Sequence, residues 1–299
     1  MQKDSKTLEC KDHYIMGAVI GDVIGSVYEW HPVRTRYFDL FNPKCEFTDD
    51  TVMTIATMEH LISSSRDDYA RPVFGIEAIS DRYRKFGRKY PNSGYGGRFR
   101  NWLLLNDYKP INSFGNGSGM RISPVGWWAE TPEEVIRLAK AFSEVTHNHE
   151  EGVKGAVAIA LAVYYARKGE KKYTIKEKIE EATGYDLSEM YEHIRERGYR
   201  FNETCQGSVP ESIISFLAGR DFEDSIINAI YLGGDADTMA CMAGAIAEAK
   251  FGTESVTKKL RDFVWSKLPE EFKTIIAEFS DMVKEMDDNK TEKENEQHR

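Results

Sequence analysis

Apolar residues recur at three- and four-residue spacing along most of this chain, the period of helices that bury one face. Residues 12–29 read as an apolar helix with Gly17, Gly21 and Gly25 on one face. Each glycine costs about 1 kcal/mol against alanine in a helix interior, so close packing or a nearby ligand should compensate. Val52, Ile55, Ala56, Met58, Leu61 and Ile62 predict a helix over 49–64, and another follows over 74–89. Thr131-Pro132-Glu133-Glu134 is a capping box with proline at the first helical position, so a helix starts there and runs to about Val145. Residues 150–168, rich in Ala, Val and Leu, read as a buried helix. Shorter helices are predicted over 174–182, 187–196, 210–218 and 222–232. The run 236–251 is small and apolar with Gly252 as its C-cap, and 256–265 and 268–285 close the pattern.

No alternating strand pattern extends beyond a few residues, and no repeat of fixed period is present. The expected fold is therefore all-α, a single compact orthogonal multi-helix domain over residues 12–286. Residues 1–11 are expected to form a flexible N-terminus. Residues 287–299 are charged and almost without apolar side chains, a composition that predicts a disordered tail. The segment from Tyr90 to Trp128 differs in texture: glycine, asparagine and serine alternate with aromatics, without clear periodicity. A stretch of that length inside a compact domain is usually functional.

Composition narrows the function. With 299 residues and a formal net charge of −9, the chain lacks the basic footprint of broad nucleic-acid binding. The apolar stretch Tyr14–Tyr28 carries Asp22 and is shorter than the about 20 residues a membrane helix needs, so no membrane association is expected. Cys10, Cys45, Cys205 and Cys241 lack CxxC or zinc-finger spacing and read as reduced thiols of a cytoplasmic protein.

Two acidic clusters open predicted helices: Thr48-Asp49-Asp50-Thr51, and Asp235-Ala236-Asp237-Thr238 after Gly233-Gly234. Alone, each is an N-cap with acids that complement the helix dipole. Together they offer four carboxylates with no basic residue nearby in sequence, which is unfavourable at close range without cations. An all-oxygen set without His or Cys suits Mg²⁺ or Mn²⁺ better than zinc. Two such ions could share the cleft, with Thr48, Asp49, Asp50, Asp235, Asp237 and Thr238 as the candidate metal set. Glu29, beside aromatics in Tyr28-Glu29-Trp30-His31, is a candidate general acid or base, or else a solvated helix-end carboxylate. Asp22 reads as structural, bonded to nearby helix-end amides. Ser113-Phe114-Gly115-Asn116-Gly117-Ser118 could cradle a diphosphate or be a plain surface turn. It fits neither GxGxxG nor the P-loop pattern. His147 and His149 are candidate phosphate donors or helix caps.

At these residues the chain resembles the ADP-ribosylglycohydrolase family, which includes the dinitrogenase reductase-activating glycohydrolase. The resemblance spans residues 14 to about 252, through GAVIGDVIGSVYEW, FTDDTVMTIA, GYGGRFRNW, SFGNGSGMR, THNHEEGVKGA and LGGDADTMACMAGAIAEAKFG. It implies an all-α fold, a binuclear Mg²⁺ or Mn²⁺ centre, and hydrolysis at C1″ of ADP-ribose attached to a protein or a small molecule. It carries Thr48, Asp49 and Asp50 onto one half of the metal site, with Asp49 and Asp50 serving the catalytic step, and Asp235, Asp237 and Thr238 onto the other half. Glu29 falls where some relatives have a mobile acid that gates the site and takes part in proton transfer. Ser113, Phe114, Gly115, Asn116 and His147 match segments that hold the diphosphate and ribose, and Tyr95 and Gly96 a loop bordering the distal ribose. Two departures stand out. Many relatives have GGDTDT where this chain has GGDADT, and the residues around Pro91-Asn92-Ser93-Gly94 supply no match to a further acid found in the dinitrogenase reductase-activating type. The general base is thereby left unassigned. The remaining alternatives are a non-catalytic ADP-ribose-binding protein and a metal-dependent phosphoesterase acting on a nucleotide diphosphate.

Overall fold

The glycine face of the first helix explains how the interior is assembled. A computed structural model describes residues 8–64 and 74–297. It contains α1 (Gly17–Gly25), α2 (Asp49–Ser63), α3 (Ile76–Lys89), α4 (Gly97–Leu104), α5 (Gly117–Met120), α6 (Ser123–Trp128), α7 (Pro132–Glu144) and α8 (Glu150–Arg167). There follow α9 (Lys172–Thr183), α10 (Tyr191–Glu196), α11 (Cys205–Ala218), α12 (Phe222–Leu232), α13 (Ala236–Phe251), α14 (Lys258–Trp265) and α15 (Glu270–Gln297). Among the described residues the only strand-like feature recorded is an isolated antiparallel bridge, Gly115 to Thr204. The fold is all-α.

All nine residues of α1 are buried, and α13 is buried from Ala236 to Ala249. The two helices lie so close that a Cβ at Gly21 would sit 2.0 Å from the Ala240 carbonyl oxygen, and one at Gly25 would sit 2.4 Å from Asp237 Cα. Only a hydrogen fits there. That contact repays the glycines' weak helix propensity. Around this pair, α13 also packs against α8, α11 and α12, and α2 against α15 and α3.

Two buried carboxylates tie helix starts to neighbouring helices. Glu248 of α13 accepts from the amides of Met16 (3.0 Å) and Gly17 (2.7 Å), capping α1. Asp22 of α1 accepts from the amides of Thr48 (2.9 Å) and Thr51 (3.0 Å), capping α2. These amides are unpaired within their own helices. The structural reading of Asp22 therefore holds, through residues of a different helix.

Burial pushes Glu248 up from 4.5 to about 7, against the opposing effect of the two amides. A carboxyl raised in the folded state lends stability below its unfolded pKa, and that stability is lost as pH rises through the folded pKa. Wild type should therefore lose stability relative to Glu248→Gln between pH 4.5 and about 7, by about 3 kcal/mol at 1.36 kcal/mol per pKa unit. Urea unfolding of both proteins across this range measures the effect, and parallel curves would refute it.

Several element boundaries differ from the sequence expectation. The helix expected over 12–29 is confined to Gly17–Gly25, because Glu248 caps its start and the chain turns after Gly25, with the Tyr28 amide bonded to the Gly25 carbonyl at 2.8 Å. The helix expected from 187 starts at Tyr191, since Asp186 accepts from the Ser188 amide at 2.9 Å and makes a turn. The one expected from 210 starts at Cys205 and carries Pro210 inside it. The segment 90–128 contains α4, α5 and α6. α15 continues to Gln297, into the segment expected to be a disordered tail. No Gly or Pro interrupts the chain there, so helical propensity carries the helix past its apolar face. Of the expected flexible N-terminus, residues 1–7 lie outside the described residues, as do 298–299 of the tail.

Candidate metal and ligand cleft

The glycine contact fixes α1 against the first turns of α13, and Asp22 fixes the first turn of α2 against α1. The two acidic helix starts consequently meet. Asp50 Oδ2 accepts from Thr238 Oγ1 at 3.2 Å and from Thr48 Oγ1 at 3.3 Å. Carboxylate oxygens of Asp22, Asp50 and Asp237 lie within 4.8 Å of one another, as do those of Glu29, Asp235 and Asp237. Asp235 is held by the Asn116 amide, Nδ2 to Oδ2 at 2.7 Å. Gly94, at φ +96°, sits against Asp49; a Cβ there would lie 3.3 Å from Oδ1. A glycine thus stands beside Asp49 in the segment that supplies no match to the family's further acid.

The electrostatics of this cluster are unfavourable by themselves. Burial first, then neighbouring carboxylates, push Asp49 and Asp50 well above the usual carboxyl range. Asp237 is raised likewise by burial and by Asp235. Asp235 is pushed up to about 6, mainly by burial. Glu29 is pushed up to about 7 by burial and by Asp237, while the Trp30 side chain, hydrogen-bonded to it, favours the charged form. Asp50 Oδ1 is buried without a hydrogen-bond partner. An orphaned carboxylate oxygen among like charges calls for a proton or a cation. The oxygen-only donor set suits a hard divalent cation. Asp22, by contrast, is fully buried with both oxygens engaged by Thr48 and Thr51, so it supports the cluster from behind.

Glu29, Asp49, Asp50, Asp235 and Asp237 line a cleft of about 420 Å³. The 113–117 segment lines the same cleft. Here Ser113 Oγ accepts from the Gly115 amide at 3.2 Å, and the Asn116 amide donates to the Glu203 carbonyl at 2.8 Å. The Cys205 amide returns a bond to the Phe114 carbonyl at 2.8 Å. Ser113, Phe114, Gly115, Asn116 and His147 all line the cleft, and so does Gly96. Tyr95 does not: its ring is buried against Phe99 at 5.6 Å, with the hydroxyl unpartnered. His149 takes the capping role, accepting from the Glu151 amide at 3.1 Å, and its ring meets Phe114 at 5.2 Å.

Other lining residues escaped the sequence reading: Trp30, Arg98, Phe99, Phe201, Glu203 and Thr204. Trp30 and Phe201 stack at 5.2 Å across the mouth of the cleft, joining the Glu29 segment to the chain before α11. The only signal was two aromatics in non-periodic segments, too weak to pair them from sequence. No described helix is long and apolar enough to cross a membrane.

The family model described as ADP-ribosylglycohydrolase matches residues 13–291. Among curated proteins, the chain is 27% identical to ADP-ribosylhydrolase ARH3 of Homo sapiens, over 81% of this chain and 85% of the relative. It is 28% identical to the Gallus gallus ARH3, over 81% of this chain and 85% of the relative. It is 23% identical to the ADP-ribosylarginine hydrolase Tri1 of Pseudomonas putida, over 91% and 79%. Among solved structures, an ADP-ribosylglycohydrolase-related protein complex superposes with a TM-score of 0.68 at 24% identity, covering 90% of this chain and 96% of that one, a likeness of fold.

Proposed function

The chain belongs to the ADP-ribosylglycohydrolase family, and from that premise we propose that it hydrolyses the C1″ glycosidic bond between ADP-ribose and a modified acceptor, releasing free ADP-ribose. The acceptor is a protein side chain or a small molecule. The observation that carries this reading is the meeting of two acidic helix starts around the orphaned Asp50 Oδ1, at one side of a cleft large enough for a nucleotide.

Thr48, Asp49, Asp50, Asp235, Asp237 and Thr238 would hold two divalent cations, Mg²⁺ or Mn²⁺. Bound there, these ions supply positive charge and Lewis acidity for orienting ribose hydroxyls and water. The chain's own residues do the rest. Asp22 locks the first turn of α2, so Asp49 and Asp50 cannot drift. Asn116 does the same for Asp235. Ser113, Phe114, Gly115 and Asn116 receive the diphosphate end of the ligand, with His147 as a donor. Cleavage at an anomeric carbon passes through an oxocarbenium-like state and needs a protonated leaving group. Glu29, beside Asp235 and Asp237 at the cleft, is placed to carry that proton. A cytoplasmic setting, read from the spacing of the four cysteines, is part of the proposal.

Arginine-linked, serine-linked and O-acetyl ADP-ribose substrates, assayed with Mg²⁺, with Mn²⁺ and with chelator, test the reading. The expected product is free ADP-ribose from at least one of them, with metal. AMP as the product would instead indicate phosphoester cleavage. No product from any substrate would indicate a binding protein.

A further inference from the structure

Of the candidate ligand donors, His147 is the most enclosed: 4% exposed, yet part of the cleft wall. Its Nδ1 lies 2.7 Å from Thr146 Oγ1. The same hydroxyl oxygen is 2.8 Å from Nη2 of Arg121. Arg121 is itself buried, anchored by the Phe142 carbonyl at 3.2 Å and lying over the Tyr83 ring at 4.3 Å. A guanidinium can only donate, so Thr146 Oγ1 accepts at that contact. The hydroxyl's single proton is then available to His147 Nδ1, its other hydrogen-bond partner among the described residues.

We infer that Arg121 and Thr146 are positioning residues that hold His147 as the Nε2–H tautomer, a donor aimed into the cleft at an oxygen of the ligand. Nδ1 accepts from Thr146, so the neutral ring carries its proton on Nε2. Nε2 has no hydrogen-bond partner among the described residues. It faces the glycines of the loop: a Cβ at Gly117 would stand 3.4 Å from it, and one at Gly115 would stand 3.8 Å away. The absence of side chains at both positions keeps the donor accessible. Burial, then the charges of Arg121 and Arg98, hold the imidazole well below its usual range. The ring is therefore neutral, with one donor of fixed direction. The relay is assembled from α5, α7 and α8 boundaries, so it presets the site before any ligand arrives. Only the identity of the ligand rests on the proposed function.

Nitrogen-15 histidine labelling of the full chain reads the tautomer directly, without ligand or turnover, with the His147 signals identified by their loss in His147→Gln. The expected spectrum has a protonated Nε2 and a bare Nδ1 throughout the neutral range. Thr146→Ser should keep this pattern. Thr146→Val, nearly the same shape without the hydroxyl, should shift His147 to a mixture or to Nδ1–H. An Nδ1–H ring in wild type, or a wild-type spectrum in Thr146→Val, overturns the inference. ADP-ribose titration with Mg²⁺ supplies the functional arm: about tenfold weaker binding by Thr146→Val, restored in Thr146→Ser. Unchanged binding despite an altered tautomer would overturn the aimed donor. Failure of wild type to bind ADP-ribose would overturn the proposed function and leave the tautomer assignment standing.

Discussion

Asp50→Asn and Asp237→Asn should each cut turnover at least about 100-fold while making the metal-free protein more stable. The loss of rate follows from the several kcal/mol of charge stabilisation that a metal centre supplies, at 1.36 kcal/mol per tenfold. The gain in stability follows from the cluster's electrostatics. Asp50 and Asp237 are raised well above the usual carboxyl range by burial and by neighbouring carboxylates. In the unfolded chain they ionise freely; in the folded chain they must hold a charge against their neighbours or take up a proton. Repulsion between two carboxylates about 4 Å apart is about 1 kcal/mol even in water, and greater when buried. Removing one charge relieves it. The sign with pH follows: stability from raised carboxyls is present in acid and lost as pH rises, so the metal-free wild type should weaken towards neutrality more than either variant. Mg²⁺ or Mn²⁺ should reverse the order, raising the melting temperature of wild type and leaving the variants nearly unmoved. Thermal unfolding with and without each cation measures both halves. An Asp50→Asn protein less stable than wild type under chelation would contradict the account.

Gly25→Ala should damage fold and site together. A Cβ there would meet Asp237 Cα at 2.4 Å and the Ala236 carbonyl oxygen at 2.7 Å. Both are backbone atoms of the first turn of α13, so no side chain can swing aside. Overpacking of this kind costs about 3 kcal/mol or more when the backbone must move. The displaced residue is a carboxylate of the cluster, so cation-dependent stabilisation should weaken as well. Gly97→Ala is the control: its Cβ meets nothing within 4 Å, and alanine is the better helix former, so stability should hold or rise slightly. Equal stability of the Gly25→Ala and Gly97→Ala proteins would refute the close-packing argument.

The start of α7 was legible because its capping is local chemistry: Thr131 accepts from the Glu134 amide at 3.1 Å, as its capping box implied, whereas α2 and α13 start where expected without a side-chain cap from Thr48 or Asp235. The glycines of α1 announced a close approach, and the approach is to α13. The partnership of Asp22 with Thr48 and Thr51, and of Glu248 with Met16 and Gly17, was hidden because it joins residues far apart in sequence. Glu203, Thr204 and Phe201 were missed for a similar reason. They belong to a connector without periodicity, which the bridge from Gly115 to Thr204 brings beside the 113–117 loop. Tyr95 was placed by its motif alone, and its burial against Phe99 carries no signal in the local sequence. The end of α15 failed for the opposite reason: a charged composition suggested disorder, while nothing in the segment breaks a helix.

The central claim, that the facing carboxylates of α2 and α13 hold cations needed for releasing ADP-ribose, is tested most directly by cation titration. Metal-stripped wild type and Asp50→Asn are each supplied with Mg²⁺ or Mn²⁺ while free ADP-ribose is measured from one turned-over substrate. Activity of wild type should be absent under chelation and return saturably with cation, and Asp50→Asn should stay inactive at every concentration. A full wild-type rate in chelator, or a wild-type response from Asp50→Asn, would contradict the claim.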